Sequence, residues 1–477
     1  MGSSSQHIAD LLDVAAAAIK DAPGIDPWQH GWCVSEYRNS GKAALPSSGG
    51  PVTMTTEGIS AYEQAVAAFL KQAPARDRWD AEELWGLVAS LVVAASESKN
   101  PRHFIDLNIL KVLKPSPALV AFPVANVEWG DEPRLLGNKC VIGKAGTRFS
   151  ELVVQMGGRA ASAEEIVTQF IDRQPHRPKP VCFATLVPGQ RSLGFKEASR
   201  RFELLVDTAL LLDMEKERHG LHSSRGSWNR PGVRGLTLDR RAIEQSMQRK
   251  DTAVELYSNP LIYDEVGHSG GNHWYSADPV PFHEVLSHVE LSDAVVNTLF
   301  DAGTVYRRIG VASKWFAESF WASNADDATL ALGVALDALI GSKAGLPGRA
   351  MKERFALLDH DPQSRPARAK RYDELYAVRS RIAHGGLSSK VEEEGFVKGF
   401  QREVAWAAWR LIAMHADFSI SGDSDLESTL ENLRWGTVRW PSGGRGERVS
   451  EILRSKEEAA LPPSDVSPCG KALGVDE

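Results

Sequence analysis

Cysteine is scarce in this sequence. Its 477 residues include four cysteines, Cys33, Cys140, Cys182 and Cys469, and no pair of them has the CxxC spacing of a thiolate zinc site. Such widely separated cysteines also argue against a disulfide framework, which small secreted domains use for stability. We therefore expect a protein of the reducing cytoplasm.

Long apolar runs and an excess of positive charge are also absent. The longest apolar stretch, Leu84 to Ala95, contains Gly86 and Ser90 and is shorter than the roughly 20 residues of a membrane span. Near the N-terminus, Asp10 and Asp13 stand where a signal peptide carries basic residues, so we expect no membrane association. The formal net charge of -7 gives the whole molecule no attraction for nucleic acid, so an RNA-binding surface has to be a local patch.

A chain of this length exceeds what one hydrophobic core supports, so several domains are expected. The pattern of apolar and turn residues along the chain predicts an α+β multidomain protein, in which an all-α C-terminal bundle follows an N-terminal region with helices and a mixed β-containing part. The predicted segments are an N-terminal helical region (1–104), an α+β region that could sense a trigger or select a substrate (105–290), a helical domain (291–420) and a largely disordered tail (421–477).

Short apolar runs separated by proline and glycine predict the strands of the second segment. They are Leu119 to Val127, Lys139 to Ile142, Leu152 to Gln155 and Val181 to Leu186, and a helix is predicted from Lys196 to Leu212. Six histidines follow in polar sequence: His219, His222, His268, His273, His283 and His288. Their spacings match no zinc signature, so we predict solvated loop residues and no metal site.

Helical spacing becomes regular from Ser292 onward. Ser292 and Asp293 suit an N-cap, and the helical pattern that follows runs through Phe320. Further helices are predicted over Asp327 to Ile340, Gly348 to Leu358, Ala367 to His384 and Glu393 to Phe418. In the last of these, apolar residues recur every three or four positions, which is typical of a helix packed lengthwise in a bundle.

One predicted helix carries an arginine where a core residue is expected. Tyr372, Leu375 and Ile382 share one face of that helix, and Arg379 lies among them. An unpaired buried guanidinium is costly. Arg379 therefore either pairs with a buried acid or faces a cleft that binds an anion.

An acid that needs a partner lies in the preceding helices. Asp337 is the lone charge in the apolar run Leu330 to Ile340. A carboxylate in such a setting requires a cation, and Arg379 or Arg381 is the candidate. A structural role for Asp337 is favoured over a chemical one.

The helix that carries Arg379 ends in a histidine followed by two glycines. Gly385 suits the left-handed position after a helix, and the helix dipole stabilises the imidazolium of His384 in the last turn. A histidine that changes charge near neutral pH suits general acid–base chemistry. Arg379 and His384 are about 140° apart on an ideal helix. They can meet at one phosphate only if the helix end unwinds or a second copy completes the site.

The string from Leu375 to Gly385, Leu-Tyr-Ala-Val-Arg-Ser-Arg-Ile-Ala-His-Gly, resembles the signature of the HEPN superfamily. It is most similar to the Apea-like branch, whose members read Tyr-x-x-Arg-Ser-x-x-x-His-Gly. Upstream, Leu332 to Ile340 and Gly348 to Leu358 resemble the first two characteristic helices of that branch. The resemblance extends over about residues 292–418.

This resemblance implies a metal-independent endoribonuclease that needs no cofactor. In HEPN enzymes an arginine and a histidine activate the ribose 2′-OH against the adjacent phosphate, and two domains pair about a twofold axis. Products ending in a 2′,3′-cyclic phosphate are then expected. By this resemblance Arg379 and His384 are the catalytic pair, and Ser380, Arg381 and Tyr376, together with the Asp337 discussed above, support them.

The resemblance also implies partners and a biological setting. RNA, with tRNA as one candidate, is the implied substrate, and a homodimer through the HEPN domain is the implied assembly. Apea-like proteins are often associated with bacterial defence against phage, in which a toxic RNase halts the infected cell (abortive infection), so a phage-derived trigger protein is a further candidate partner. Gly386 stands where an antitoxin-regulated branch has a modified tyrosine, so control by nucleotidylation is not expected.

A local excess of positive charge agrees with RNA binding. Ten basic residues stand between Ser342 and His384, against five acids. The candidate phosphate contacts among them are Arg365, Arg368, Lys370 and Arg371. A solvated helix face explains the same charges equally well.

A second hypothesis is a non-catalytic HEPN scaffold, which dimerises or binds a nucleotide or partner while the N-terminal region does the work. Two other Arg–His pairs, Arg354 with His360 and Arg410 with His415, lack the Tyr, Ser and Gly context of the HEPN-like string. The two hypotheses differ over the arginine and histidine of that string. A nuclease loses activity but keeps its fold when either is replaced, whereas a scaffold keeps its function.

Overall fold

The computed structural model describes residues 3–20, 42–45, 52–113, 117–124, 127–130, 132–157, 181–189, 191–212, 237–238, 254–258, 280–281, 289–301, 303–322, 324–341, 348–386, 388–393 and 395–449. Helices and strands occur together, as the α+β prediction requires, whereas the HEPN assignment of the bundle stays a prediction. No helix in the described chain is both long and apolar enough to cross a membrane.

The chain divides into two compact units, which are described separately. Unit 1 comprises Met1–Ala125, Gly130–Arg200 and Val233–Gly270. Unit 2 comprises Asn126–Trp129, Arg201–Gly232 and Gly271–Glu477.

The first part of unit 1 is helical with one small sheet. Its described helices are α1 (Ser3–Ala17), α2 (Thr56–Lys71), α3 (Ala73–Arg76), α4 (Ala81–Glu97) and α5 (Pro101–Leu113). Buried residues recur at helical spacing, at Ile8 and Leu12 in α1 and at Tyr62, Val66 and Phe69 in α2, so each helix turns one apolar stripe to a shared core. The antiparallel sheet consists of β1 (Ile19–Lys20), β2 (Lys42–Leu45) and β3 (Val52–Thr55), with β3 in the centre.

The second part of unit 1 contains a six-stranded sheet. Its spatial order is β6 (Arg134–Leu136), β7 (Cys140–Lys144), β8 (Val181–Val187), β4 (Ala118–Pro123), β10 (Val254–Ser258) and β9 (Thr237–Leu238). β4 pairs antiparallel with β8, with Leu119 opposite Leu186, and parallel with β10. Strands β4, β7 and β8 occupy three of the four predicted apolar runs.

The fourth predicted strand, Leu152 to Gln155, is part of a helix. It lies in α6 (Thr147–Gln155), whose residues Phe149, Leu152 and Val153 are buried in the same core as the sheet. A four-residue apolar run fits a strand and a helix face equally well. The prediction was wrong because Phe149, three positions before the run, continues its apolar pattern at helical spacing.

Unit 2 is mainly helical in its described part. Its elements are the second half of α7 (Arg191–Leu212), α8 (Val289–Phe300), α9 (Thr304–Trp321), α10 (Ala325–Ile340), α11 (Gly348–Leu357), α12 (Arg365–Ala383), α13 (Ser389–Glu392), α14 (Phe396–Phe418), α15 (Asp423–Trp435) and the parallel pair of β5 (Val127–Glu128) with β11 (Val280–Pro281). α10 is the central helix, because it contacts α9, α11, α12 and α14. Its residues Leu332, Leu336 and Leu339 are buried in those contacts.

The first helices of this unit differ from the prediction. α8 begins at Val289, so Ser292 and Asp293 lie inside the helix and do not cap it. The helical pattern predicted to run through Phe320 is also interrupted. The side chain of Asp301 accepts a hydrogen bond from the backbone N–H of Gly303 over 2.8 Å, and α9 starts after this turn.

The segment predicted to be largely disordered, 421–477, contains α15. The carboxylate of Asp425 accepts hydrogen bonds from the backbone N–H groups of Ser421 and Gly422, which caps the start of the helix. Its buried side chains are Leu426, Leu430 and Leu433. The expectation of disorder therefore fails for residues 421–449, because three leucines at helical spacing suffice to dock a polar segment. Residues 450–477 lie outside the described chain.

Candidate active site

The C-terminal end of α12 is set by its glycines. The helix continues without a break to Ala383, and the backbone N–H of His384 donates to the carbonyl of Ser380 over 3.2 Å. Gly385 has a φ of 76°, a left-handed conformation that costs glycine nothing. The predicted helix stop is confirmed. His384 contributes to the cap through its backbone, so its ring is not needed for the fold here.

Arg379 pairs with an acid on α10. Its Nη2 donates to Oδ2 of Asp337 over 3.1 Å, and 27% of the arginine side chain stays exposed. Of the two alternatives for Arg379, pairing with an acid is the one observed, although the pair is half-buried. Burial raises the pKa of Asp337 above its ordinary value, and the charge of Arg379 opposes this rise. Asp337 therefore holds the guanidinium in place but accepts a proton more readily than a solvated carboxylate.

The stem of Arg379 crosses α10 at a glycine. A Cβ added to Gly333 would lie 2.6 Å from Cγ and 3.0 Å from Nε of Arg379. No side chain larger than hydrogen fits there while the arginine keeps its position. Both Gly333 and Asp337 therefore fix the position of Arg379: the glycine leaves space for its side chain, and the acid binds its guanidinium.

Substitution of this glycine should displace Arg379 and spare the fold. Alanine is about 1 kcal/mol more favourable than glycine inside a helix, which offsets part of the cost of moving Cγ of Arg379. We expect Gly333→Ala to fold with a somewhat lower melting temperature and to lower any RNA cleavage that uses Arg379 by about tenfold or more. Melting curves and initial cleavage rates measure the two effects.

A matched control is Gly310→Ala on α9. An added Cβ there meets Leu204 at 3.5 Å, which is an ordinary contact, and no arginine is involved. This variant should cleave like the wild type. Equal rates for both alanine variants would show that the position of Arg379 is irrelevant to activity.

His384 is exposed at the helix end. Within the described residues its ring forms no hydrogen bond or ion pair, and the exposed side chain of Arg381 forms none either. Ser380 is half-buried one turn before the histidine. No hydrogen bond links Arg379 with His384 in the described chain. Because α12 does not unwind, one chain leaves the two residues on different sides of the helix, and completion by a second copy stays a prediction.

Two tyrosines stack on α12. The rings of Tyr372 and Tyr376 lie 5.8 Å apart and are inclined by 16°. Tyr372 is buried, its hydroxyl has no hydrogen-bond partner among the described residues, and burial together with the charge of Asp337 raises its pKa. Tyr376 is 38% exposed, and its edge faces Gly348, where an added Cβ would lie 3.3 Å from the ring. The helix thus presents a firmly held aromatic ring at its surface.

Two of the four predicted phosphate contacts face one acid. Nη1 of Arg368 donates to Glu403 on α14 over 2.9 Å, and Nε of Arg371 lies 3.6 Å from the same carboxylate. Glu403 lies outside the basic segment between Ser342 and His384. The tertiary structure therefore brings an acid from another helix to two of the basic residues and reduces the local excess of positive charge.

The other two predicted phosphate contacts differ from each other. Nε of Arg365 donates to the carbonyl of Asp359 over 3.1 Å, and burial lowers the pKa of this arginine. Lys370 is exposed and forms no ion pair with any described residue. Arg354, another basic residue of the same segment, pairs with Glu427 on α15. Of the four, Lys370 is the one for which no hydrogen bond or ion pair with a described residue is found.

Arg410 is the centre of a buried ionic cluster that the sequence did not predict. Arg410 is 3% exposed, donates to the carbonyl of Gly446 over 2.7 Å and lies 3.9 Å from Asp359. Arg368 also approaches Asp359, at 3.4 Å, and lies over the ring of Trp406, 4.0 Å from its centroid. Burial lowers the pKa of Arg410 to about 10. The sequence feature that could have predicted this cluster is Arg410 itself, a charged residue among the apolar residues of α14.

The histidines of the two other Arg–His pairs, His360 and His415, contact groups of the folded chain. Nδ1 of His415 lies 2.7 Å from the carbonyl oxygen of Ile420, and its ring meets Tyr306 edge-on. His360 lies 3.4 Å from the carboxylate of Asp359. Neither histidine stands exposed at a helix end as His384 does.

The described residues contain no group of three or more His, Cys, Asp or Glu side chains that could hold a metal ion. The six histidines between 219 and 288 lie outside the described residues. The prediction that they are solvated loop residues therefore stays a prediction.

Comparison with known proteins adds no relative. No family model matches the chain, and no curated protein or solved structure matches it. The resemblance of residues 292–418 to the HEPN superfamily therefore rests on the string from Leu375 to Gly385 and on the two helices before it.

Proposed function

We propose that this protein is a metal-independent endoribonuclease of the HEPN type, with Arg379 and His384 as its catalytic pair. The observation that carries the proposal is the exposed imidazole of His384 at the end of α12, on the same helix as an arginine held by Asp337. Histidine is the side chain most often used as a general acid or base, and exposure leaves this ring within reach of a substrate. The guanidinium provides a fixed positive charge for a phosphate.

The proposed reaction is the attack of a ribose 2′-oxygen on the adjacent phosphorus. His384 accepts the proton of the 2′-OH as the new P–O bond forms. The bond to the 5′-oxygen breaks, and a general acid protonates that oxygen. Arg379 donates hydrogen bonds to the non-bridging oxygens as their negative charge increases. The products carry a 2′,3′-cyclic phosphate and a 5′-hydroxyl group.

A second copy of the chain belongs to the proposal. Arg379 and His384 are about 140° apart around α12, so one helix does not direct both at one phosphate. Two α12 helices that meet about a twofold axis would line one cleft with both residues. RNA, with tRNA as a candidate, and a phage-derived trigger are the proposed partners in a bacterial cytoplasm.

The experiment that tests the proposal is incubation of the full-length protein with total cellular RNA and with tRNA in EDTA. We expect discrete fragments that end in a 2′,3′-cyclic phosphate, resolved on a denaturing gel. Cleavage that requires a divalent ion would contradict the metal-independent mechanism. RNA that stays intact both in vitro and in cells co-expressing phage proteins would contradict nuclease function.

A second candidate is a non-catalytic bundle that dimerises or binds a nucleotide or partner. The ion pair of Arg379 with Asp337 favours it, because an arginine engaged with an acid can serve packing alone. The two candidates differ in the fate of the exposed His384. A scaffold has no use for its ring.

A further inference from the structure

Tyr376 is a large aromatic residue that unit 2 leaves at its surface. Its ring is 38% exposed, although the neighbouring Tyr372 is almost wholly buried. The ring is also firmly held, since Tyr372 stacks against it and the backbone of Gly348 lies at its edge. An exposed ring that is fixed in advance loses little conformational entropy when a flat partner stacks on it.

Two arginines lie near this ring. On α12, Arg379 lies about 60° from Tyr376 and Ser380 about 40° on the other side, toward the His384 end. Arg379 pairs with Asp337. Arg349, next to Gly348, has 90% of its side chain exposed and lies 3.7 Å from Glu353. A flat aromatic ring among guanidinium groups suits a nucleobase with its attached phosphates.

We propose that Tyr376 is a base-stacking residue, which binds the nucleobase next to the cleaved phosphate and so influences which nucleotide is cut. This inference rests on the proposed ribonuclease function and names the contact that orients its substrate. Stacking holds one base against α12, and the phosphate attached to that nucleotide then lies within reach of Arg379. Tyr376 is thus a substrate-binding residue, and it takes no part in proton transfer.

A competing occupant of the same surface is a second copy of this chain. An interface of that kind usually has an apolar centre from which charged residues are depleted. In the proposed dimer the two α12 helices line an open cleft, and the charged Arg379 beside Tyr376 does not suit a closed apolar contact between Tyr376 and the second copy. The charge pattern therefore favours RNA, and a measurement of molecular mass distinguishes the two.

The test uses the full-length His384→Ala protein and a short single-stranded RNA with 2-aminopurine at successive positions. We expect this background to bind RNA without cutting it. We expect quenching of the fluorescence at one position, because stacking on an aromatic ring quenches this base. Tyr376→Leu in the same background should remove the quenching and weaken binding about tenfold. Tyr376→Phe, which keeps the ring, should retain both.

The matched control is Trp435→Leu, since Trp435 is 68% exposed and lies beside Arg434 on α15. It should leave affinity and quenching unchanged. Unchanged binding in Tyr376→Leu, absence of RNA binding, or a drop in molecular mass of Tyr376→Leu by light scattering would each overturn the stacking inference. Failure of the nuclease proposal can be distinguished from failure of the stacking inference. RNA binding that depends on Tyr376, without cleavage by the wild type, would refute the nuclease and keep the stacking contact.

Discussion

Replacing His384 with alanine should reduce RNA cleavage by at least about 100-fold, the usual contribution of a general acid or base. The fold should not change, because the cap of α12 depends on the backbone of His384 and on the left-handed Gly385. Cleavage rates on labelled tRNA, together with melting temperature and molecular mass, measure both parts of this prediction.

A matched control for this experiment is His103→Ala. His103 is also exposed, but it lies on α5 in unit 1. We expect this variant to cleave like the wild type. If His384→Ala cut RNA as fast as the control, the chemistry would lie elsewhere and the assignment of α12 as the active helix would be wrong.

Replacing Asp359 with alanine should destabilise unit 2 by about 3 kcal/mol or more, the typical cost of leaving a buried charge without its partner. Asp359 is 3% exposed, and Arg410 and Arg368 both face its carboxylate. Without the acid, the guanidinium of Arg410 stays buried beside Trp406 with its charge uncompensated. The free energy is measured from the chemical unfolding transition followed by tryptophan fluorescence.

The control for this loss is Glu353→Ala, which removes a carboxylate from more exposed pairs. Glu353 lies 3.7 Å from Arg349 and 3.4 Å from Arg434. Exposed pairs contribute less than about 1 kcal/mol, so a small effect is expected. A double variant, Asp359→Leu with Arg410→Met, should recover part of the stability because no charge is then buried. Equal losses for Asp359→Ala and Glu353→Ala would show that the cluster is not a structural centre.

The helices of unit 2 were largely predictable because their periodicity is local. The apolar stripe of α14 and the glycine stop of α12 depend on residues within a few positions of each other. The strand predicted at Leu152 and the helix missed after Gly422 show the limit of this reasoning. In the first case the helical spacing appears only when Phe149 is included with the run, and in the second the three buried leucines of α15 are separated by polar residues.

The candidate site was predictable in its residues but not in its contacts. Tyr376, Arg379 and His384 stand out because an arginine among apolar residues and a histidine before two glycines are unusual patterns. The role of Gly333 was not predictable. Gly333 matters because the side chain of Arg379 packs directly against it. The sequence of α10 alone does not predict this contact.

The sequence by itself determined the helix that carries Arg379 and His384, the stop that exposes the histidine, and the spacing that separates the two around α12. Only the tertiary structure decided which charges are free. Arg379 meets an acid 42 residues away, Arg368 meets one 35 residues away, and Arg410 meets a carbonyl 36 residues away. The physical reason is range. Helix periodicity acts between adjacent turns, whereas pairing and burial of charge depend on which helices pack together.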